Sequence, residues 1–111
     1  MHPFNYYDPK TVEEAVEVLK KFGDRAKCLA GGTDVLVQTR GERYELDAIV
    51  DVKKIPELTS VEWTDDHLII GAATPCYVLY EDPKVCEAFP GIIDSASLIG
   101  GIQIQSRASL G

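Results

Sequence analysis

The residues whose types and spacing could do chemistry in this 111-residue chain lie at positions 29–40, LAGGTDVLVQTR. Apolar residues run into the adjacent glycines Gly31 and Gly32, then into Thr33 and Asp34, then into an amphipathic segment. A chain turning through two glycines reaches conformations closed to residues with a Cβ, and it leaves amide groups uncovered by side chains. Successive open amides at a helix start, with the positive end of the helix dipole behind them, bind anions without Lys or Arg. Thr33 adds a hydroxyl that either caps the helix or donates to a phosphate oxygen. Asp34 repels a phosphate and suits the first turn of the helix, a ribose or a ring nitrogen. The spacing alone better describes a tight turn that binds nothing, as many Gly-Gly turns between a strand and a helix do. Neither G-x-x-x-x-G-K-[ST] nor G-x-G-x-x-G after a strand is present, which argues against a P-loop hydrolase and a dinucleotide-binding Rossmann domain.

Other reactive side chains are sparse. Cys28, Cys76 and Cys86 are an odd set at wide spacing with no C-x-x-C, so neither a disulfide framework nor a zinc or iron-sulfur site is indicated. Cys28, in the strand before the glycines, is expected to act as a small buried hydrophobe. His67 stands beside Asp65 and Asp66 with no further ligand in sequence, and reads as a solvated hairpin tip.

The elements that must position the glycine turn are legible. FNYYDP has the aromatic content of a short strand and stops at Pro9. TVEEAVEVLKKFG is a helix with both ends marked: Thr11 and Glu14 have the spacing of a capping box, and Gly23 can take the left-handed conformation that ends it. Val12, Ala15, Val16, Leu19 and Phe22 are expected on its buried face. AKCLA reads as a short buried strand, DVLVQTR as a short helix ended by Gly41, and DAIVDV as a third strand. Residues 3–52 thus spell strand, helix, strand, helix, strand, the alternation of a small parallel sheet. In LTSVEWTDDHLIIGAAT two β-type runs flank Thr64 to His67, a hairpin pattern. Thr74 and Pro75 offer a cap and first-turn proline for a short helix, and helical stretches follow to Leu98, broken at Asp82-Pro83 and Pro90-Gly91. Ile102 to Gln105 alternate as a strand does. The run ends at Gly111 without a polar tail, which suggests a fragment.

A hydrophobic share of 45% and a charged share of 26% are those of a globular domain, and no apolar run approaches the roughly 20 residues of a membrane span. Residues 1–43 hold seven Lys/Arg and seven Asp/Glu, and residues 44–111 hold four against eleven, summing to the net charge of -7. With no cluster of cations, nucleic acid is not an expected partner. The start has neither the basic and apolar regions of a secretory signal nor an Arg-rich, acid-poor transit character, so a cytoplasmic location is expected.

LAGGTDVLVQTR closely resembles the first flavin motif of the FAD-binding subunit of molybdenum hydroxylases, the family of xanthine dehydrogenase and aerobic carbon monoxide dehydrogenase. LIIGAATP is similar to that family's hairpin strand. LIGGIQIQSRASLG is similar to the start of its second flavin motif, with Gln105 and Ser106 where Arg and Asn are common, and Ser109 in place of Thr. The resemblance implies an α/β fold of the vanillyl-alcohol-oxidase type, a small parallel three-stranded sheet followed by a hairpin and the start of a second α/β layer. It implies a first FAD-binding subdomain at 1–55 and the start of a second at 56–111.

By the same resemblance, Leu29, Ala30, Gly31, Gly32, Thr33, Asp34 and Val35 would form one wall of an FAD pyrophosphate site. Ile99, Gly100, Ala108, Ser109 and Gly111 would begin the other, which stops before its second glycine and Asn. No catalytic nucleophile and no metal ligand are expected, because the flavin carries the redox chemistry. The implied partners are a molybdopterin-binding large subunit, an iron-sulfur small subunit and the remainder of the FAD subunit. The implied activity is that of an oxidoreductase subunit, inactive as this chain alone; the alternative is a half-domain with a structural or assembly role that does not bind FAD by itself. Trp63 is placed in packing rather than on a flavin ring, and Tyr77 and Tyr80 are candidates for a cofactor edge.

Overall fold

The computed structural model describes residues 4–40, 46–98 and 107–111. Strand β1 (Asn5–Tyr7) leads through helix α1 (Val12–Phe22) to strand β2 (Ala26–Leu29), and helix α2 (Val35–Arg40) leads on to strand β3 (Ala48–Asp51). The strands form a parallel sheet in the order β1-β3-β2, with Tyr6 opposite Ile49 and Cys28 opposite Val50. The alternation read from the sequence is the one observed.

Because β3 is central in a parallel sheet, helices cover both of its faces, and its residues are buried regardless of which way they point. Ala48, Ile49 and Val50 are fully buried and Asp51 is 4% exposed. Successive side chains point to opposite faces. Val50 packs with Ala15, Val52, Ile55 and Ala73 on one side, and Ile49 with Leu29 and Leu46 on the other, where Val35 of α2 closes over them.

Helix α1 shows how far the sequence reading carried. The Thr11 Oγ accepts from the Glu14 amide at 3.2 Å, while the Glu14 carboxylate reaches past the cap to the Lys10 amide at 3.3 Å, one residue earlier than a reciprocal box requires. Gly23 closes the helix at φ 53°, its amide donating to the Leu19 carbonyl. The inward stripe is Ala15, Val18, Leu19 and Phe22, with the Phe22 ring 5.8 Å from that of Tyr7. Val12 and Val16, expected to be buried, are 36% and 40% exposed because the stripe is centred one position further round the helix.

Strands β4 (Val61–Trp63) and β5 (Leu68–Ile70) form the expected hairpin, closed by the Thr64 amide donating to the His67 carbonyl at 2.8 Å. Helices α3 (Cys76–Tyr80), α4 (Pro83–Ala88) and α5 (Pro90–Ser97) follow, and the Asp82 carboxylate caps α4 by accepting from the Lys84 amide at 3.0 Å. The start of α3 departs from expectation. Pro75 itself holds the cap position, without a side-chain cap bond, and the Thr74 hydroxyl is buried without a partner among the described residues. The reason is a backbone pairing: Leu110 donates to the Thr74 carbonyl at 3.0 Å, Gly111 to Ala72 at 2.7 Å and Cys76 to Ala108 at 2.8 Å. That pairing, antiparallel where Pro75 meets Ser109, takes up the Thr74 carbonyl and leaves Thr74 one position before the cap. The strand expected at Ile102 to Gln105, and Gly41, lie outside the described residues.

Candidate functional site

The turn after β2 and the segment 108–111 face each other across a cleft of about 530 Å³. Ala30, Gly31, Gly32, Thr33, Asp34 and Val35 form one wall, and Ala108, Ser109 and Gly111 the other. Val52, Leu58, Ala72 and Ala73 supply an apolar floor. Of the residues picked from the sequence, these nine are brought together. Leu29 is not among them: it is buried behind the turn with Leu46 and Ile49, as the last inward residue of β2. Ile99 and Gly100 lie outside the described residues.

The adjacent glycines serve different ends. Gly32 adopts φ 78°, in the left-handed region that favours a residue without a Cβ. Gly31 is required by close approach, since a Cβ there would stand 2.0 Å from the Arg107 carbonyl oxygen. Thus one glycine shapes the turn and the other lets the second wall close against it. Among the described residues, none accepts a hydrogen bond from the amides of Gly31, Gly32, Thr33 or Asp34. A run of open amide donors is chemically able to receive an anion. The Asp34 carboxylate is drawn away by its own helix, accepting from the Gln38 side-chain Nε2 at 2.8 and 2.7 Å, one turn on.

A polar cluster under the turn escaped the sequence reading. The Asp51 carboxylate, at the end of β3, accepts from the Tyr6 hydroxyl, from the Lys53 amide at 2.9 Å and from the Lys53 ammonium at 3.0 Å. Burial pushes this carboxyl up, but the three donors together outweigh it and hold it below its ordinary value. Tyr6, donating to a carboxylate, is pushed up to about 12. The Lys53 ammonium also donates to the Ala30 carbonyl at 3.0 Å, so the cluster ties β1, β3 and the glycine turn together. The one signal in sequence was an Asp ending the apolar run AIVD, an unusual place for a charge unless it is paired.

Cys28, expected to be buried, is exposed at the cleft. Partial desolvation still pushes its thiol up, against a smaller lowering by Lys27, so it is not an activated thiolate. Trp63 lies outside the cleft, as expected, stacked on Phe89 at 6.2 Å with the Lys84 ammonium 4.3 Å from its ring. Tyr77 and Tyr80 do not line the cleft: Tyr80 packs against Cys76, Ala96 and Ala108, and Tyr77 is exposed. Their place on α3 turns them from the cleft, a geometry the sequence did not contain. His67 is exposed in the hairpin loop. Among the described residues, no helix is long and apolar enough to cross a membrane.

A parallel sheet with a glycine turn at the carboxyl end of its strand, opposed by a second glycine-bearing segment across a cleft, is an α/β domain with its cleft where such folds take ligands. Residues 2–111 match the model of one such family, the FAD binding domain in molybdopterin dehydrogenase, and the chain belongs to that family. It is 33% identical over 108 residues to the carbon monoxide dehydrogenase medium chain of Hydrogenophaga pseudoflava, covering 97% of this chain and 38% of that protein. It is 35% identical over 108 residues to the xanthine dehydrogenase FAD-binding subunit of Escherichia coli O157:H7, covering 96% of this chain and 37% of that protein. Among solved structures, a chain of the cyanide-inactivated Cu,Mo-CO dehydrogenase superposes with a TM-score of 0.93 at 28% identity, over 100% of this chain and 40% of that one. The chain thus spans well under half the length of the relatives it matches.

Proposed function

We propose that the cleft holds the pyrophosphate of FAD, and that the chain is the first part of the FAD-binding subunit of a molybdenum hydroxylase complex. The observation that carries this reading is the run of open amides from Gly31 to Asp34 on one wall, in a chain of an FAD-binding family. The fit is chemical. A pyrophosphate needs several donors at close range, and the glycine backbone brings them without a side chain in the way. No Lys or Arg lines the cleft among the described residues, so the amides carry the recognition. The second wall offers the Ser109 hydroxyl, whose present partner is the Gly111 carbonyl at 3.0 Å, and Val52, Leu58 and Ala73 give the cleft an apolar floor.

FAD, when bound, would supply the redox chemistry, the passage of electrons from iron-sulfur clusters on a partner subunit to an external acceptor. The chain's own part is to bind and orient. Its partners in this reading are the molybdopterin-binding large subunit, the iron-sulfur small subunit and the remainder of the FAD subunit, with the subdomains meeting near residue 55. The reading is tested with Gly32→Val in the complete subunit. A β-branched residue cannot hold φ 78° without strain, and its Cβ would stand 2.9 Å from the Leu36 Cδ1. The variant is expected to be isolated without FAD; a variant that keeps its flavin contradicts the role of the turn.

A further inference from the structure

We infer that Lys53 is a positioning residue for the cleft: by binding the Ala30 carbonyl it fixes and polarises the Gly31 amide, the first of the open donors. The inference rests on the proposed flavin role of the turn for its functional meaning, and on geometry for its mechanism.

The Lys53 ammonium sits between two acceptors, 3.0 Å from the Ala30 carbonyl oxygen and 3.0 Å from the Asp51 carboxylate. Asp51 is a fixed anchor, 4% exposed and held also by the Tyr6 hydroxyl and the Lys53 amide. The Ala30 carbonyl and the Gly31 amide belong to one peptide group, and the described chain has no cis bonds. In a trans peptide the C=O and N–H point in opposite directions across one rigid plane. Pinning the oxygen on Lys53 therefore turns the Gly31 amide hydrogen away from Lys53. A cation on the oxygen also draws electron density from the amide, which makes it a stronger donor, as in any chain of polarised hydrogen bonds.

Ala30 and Gly31 line the cleft and Lys53 does not. A cation therefore acts on the anion wall through a peptide group, while its own charge is balanced outside the cleft by Asp51. This arrangement answers a question the cleft poses, namely how a wall without cations grips a doubly charged group. It also assigns a purpose to the Asp51 cluster that packing alone does not.

The test is a comparison of Lys53→Met and Lys53→Arg in the complete subunit. The Gly31 resonance in an amide correlation spectrum and the FAD dissociation constant are measured for each, with the melting temperature of the flavin-free protein as control. Lys53→Met is expected to move the Gly31 amide proton upfield and weaken FAD several-fold, because the Gly31 donor is weakened and less well held rather than lost. Lys53→Arg, which keeps a cationic donor, is expected to restore both. A Gly31 resonance unmoved in Lys53→Met, with FAD bound as tightly as in the wild type, overturns the inference. Absence of FAD binding in the wild type contradicts the flavin reading instead, and the Gly31 resonance still decides the orientation by itself.

Discussion

Gly31, Gly32 and Gly91 are the same residue under three different constraints, and substitution should separate them. At Gly31 the obstacle is a backbone carbonyl 2.0 Å from an added Cβ, which cannot rotate aside, so Gly31→Ala is expected to cost about 1–3 kcal/mol by forcing the segment at Arg107 away. At Gly32 the obstacle is φ 78°, and Gly32→Ala is expected to cost about 1–2 kcal/mol. At Gly91, in the first turn of α5, nothing lies within 4 Å of an added Cβ, and Gly91→Ala is expected to stabilise by about 0.5 kcal/mol. Denaturant midpoints check all three, and a destabilised Gly91→Ala would contradict the assignment by geometry. At this scale the site was partly legible. Gly-Gly followed by Thr-Asp marks a turn with uncovered amides, because few other residues permit one, and the family resemblance is what pointed it at a phosphate. That Gly31 is needed for contact with Arg107 was not legible, since the partner lies 76 positions away in the chain (107 − 31) and no local pattern encodes it. Leu29 was assigned to the wall by its neighbours, yet its side chain alternates into the core.

At the scale of elements, the sheet's polar cluster governs how stability follows pH. Tyr6→Phe removes the hydroxyl that donates to Asp51 and is expected to cost about 1 kcal/mol at neutral pH, below the range for bonds to charged groups because Tyr6 is 55% exposed. The sign follows from both partners. Asp51 has a lowered folded pKa, so its contribution is present above the ordinary carboxyl value of 3.8 and is lost as pH falls through the folded value. Tyr6 has a raised one, so its contribution is present below 10 and is lost as pH rises toward about 12. The stability gap between wild type and Tyr6→Phe should therefore be widest between those limits and close at both ends. A gap that persists unchanged above pH 12 would contradict the assignment. Elements were the most legible level: the cap at Thr11, the stop at Gly23 and the breaks at Asp82-Pro83 and Pro90-Gly91 are local chemistry. Their inward faces were less so, because Val12 and Val16 satisfy helical periodicity as well as Val18 does. Only the position of the sheet decides between them.

At the scale of the whole molecule, the cleft is assembled from segments far apart in sequence. The β2 turn, the alanines after the hairpin and the segment 108–111 meet because Gly111, Leu110 and Ala108 are hydrogen-bonded to Ala72, Thr74 and Cys76. Long-range pairing of this kind is invisible to periodicity. It was anticipated only through the motifs that resemble a known family, and the chain spans 38% of the length of one such relative. The central claim, that the amides at 31–34 hold the flavin's pyrophosphate, is tested most directly by following amide resonances in the complete flavin-free subunit. FAD is added to one sample and riboflavin, which has no phosphate, to another. The account predicts that FAD moves the resonances of Gly31, Gly32, Thr33 and Asp34 most and that riboflavin leaves them in place. FAD that binds while those four stay unmoved would contradict it.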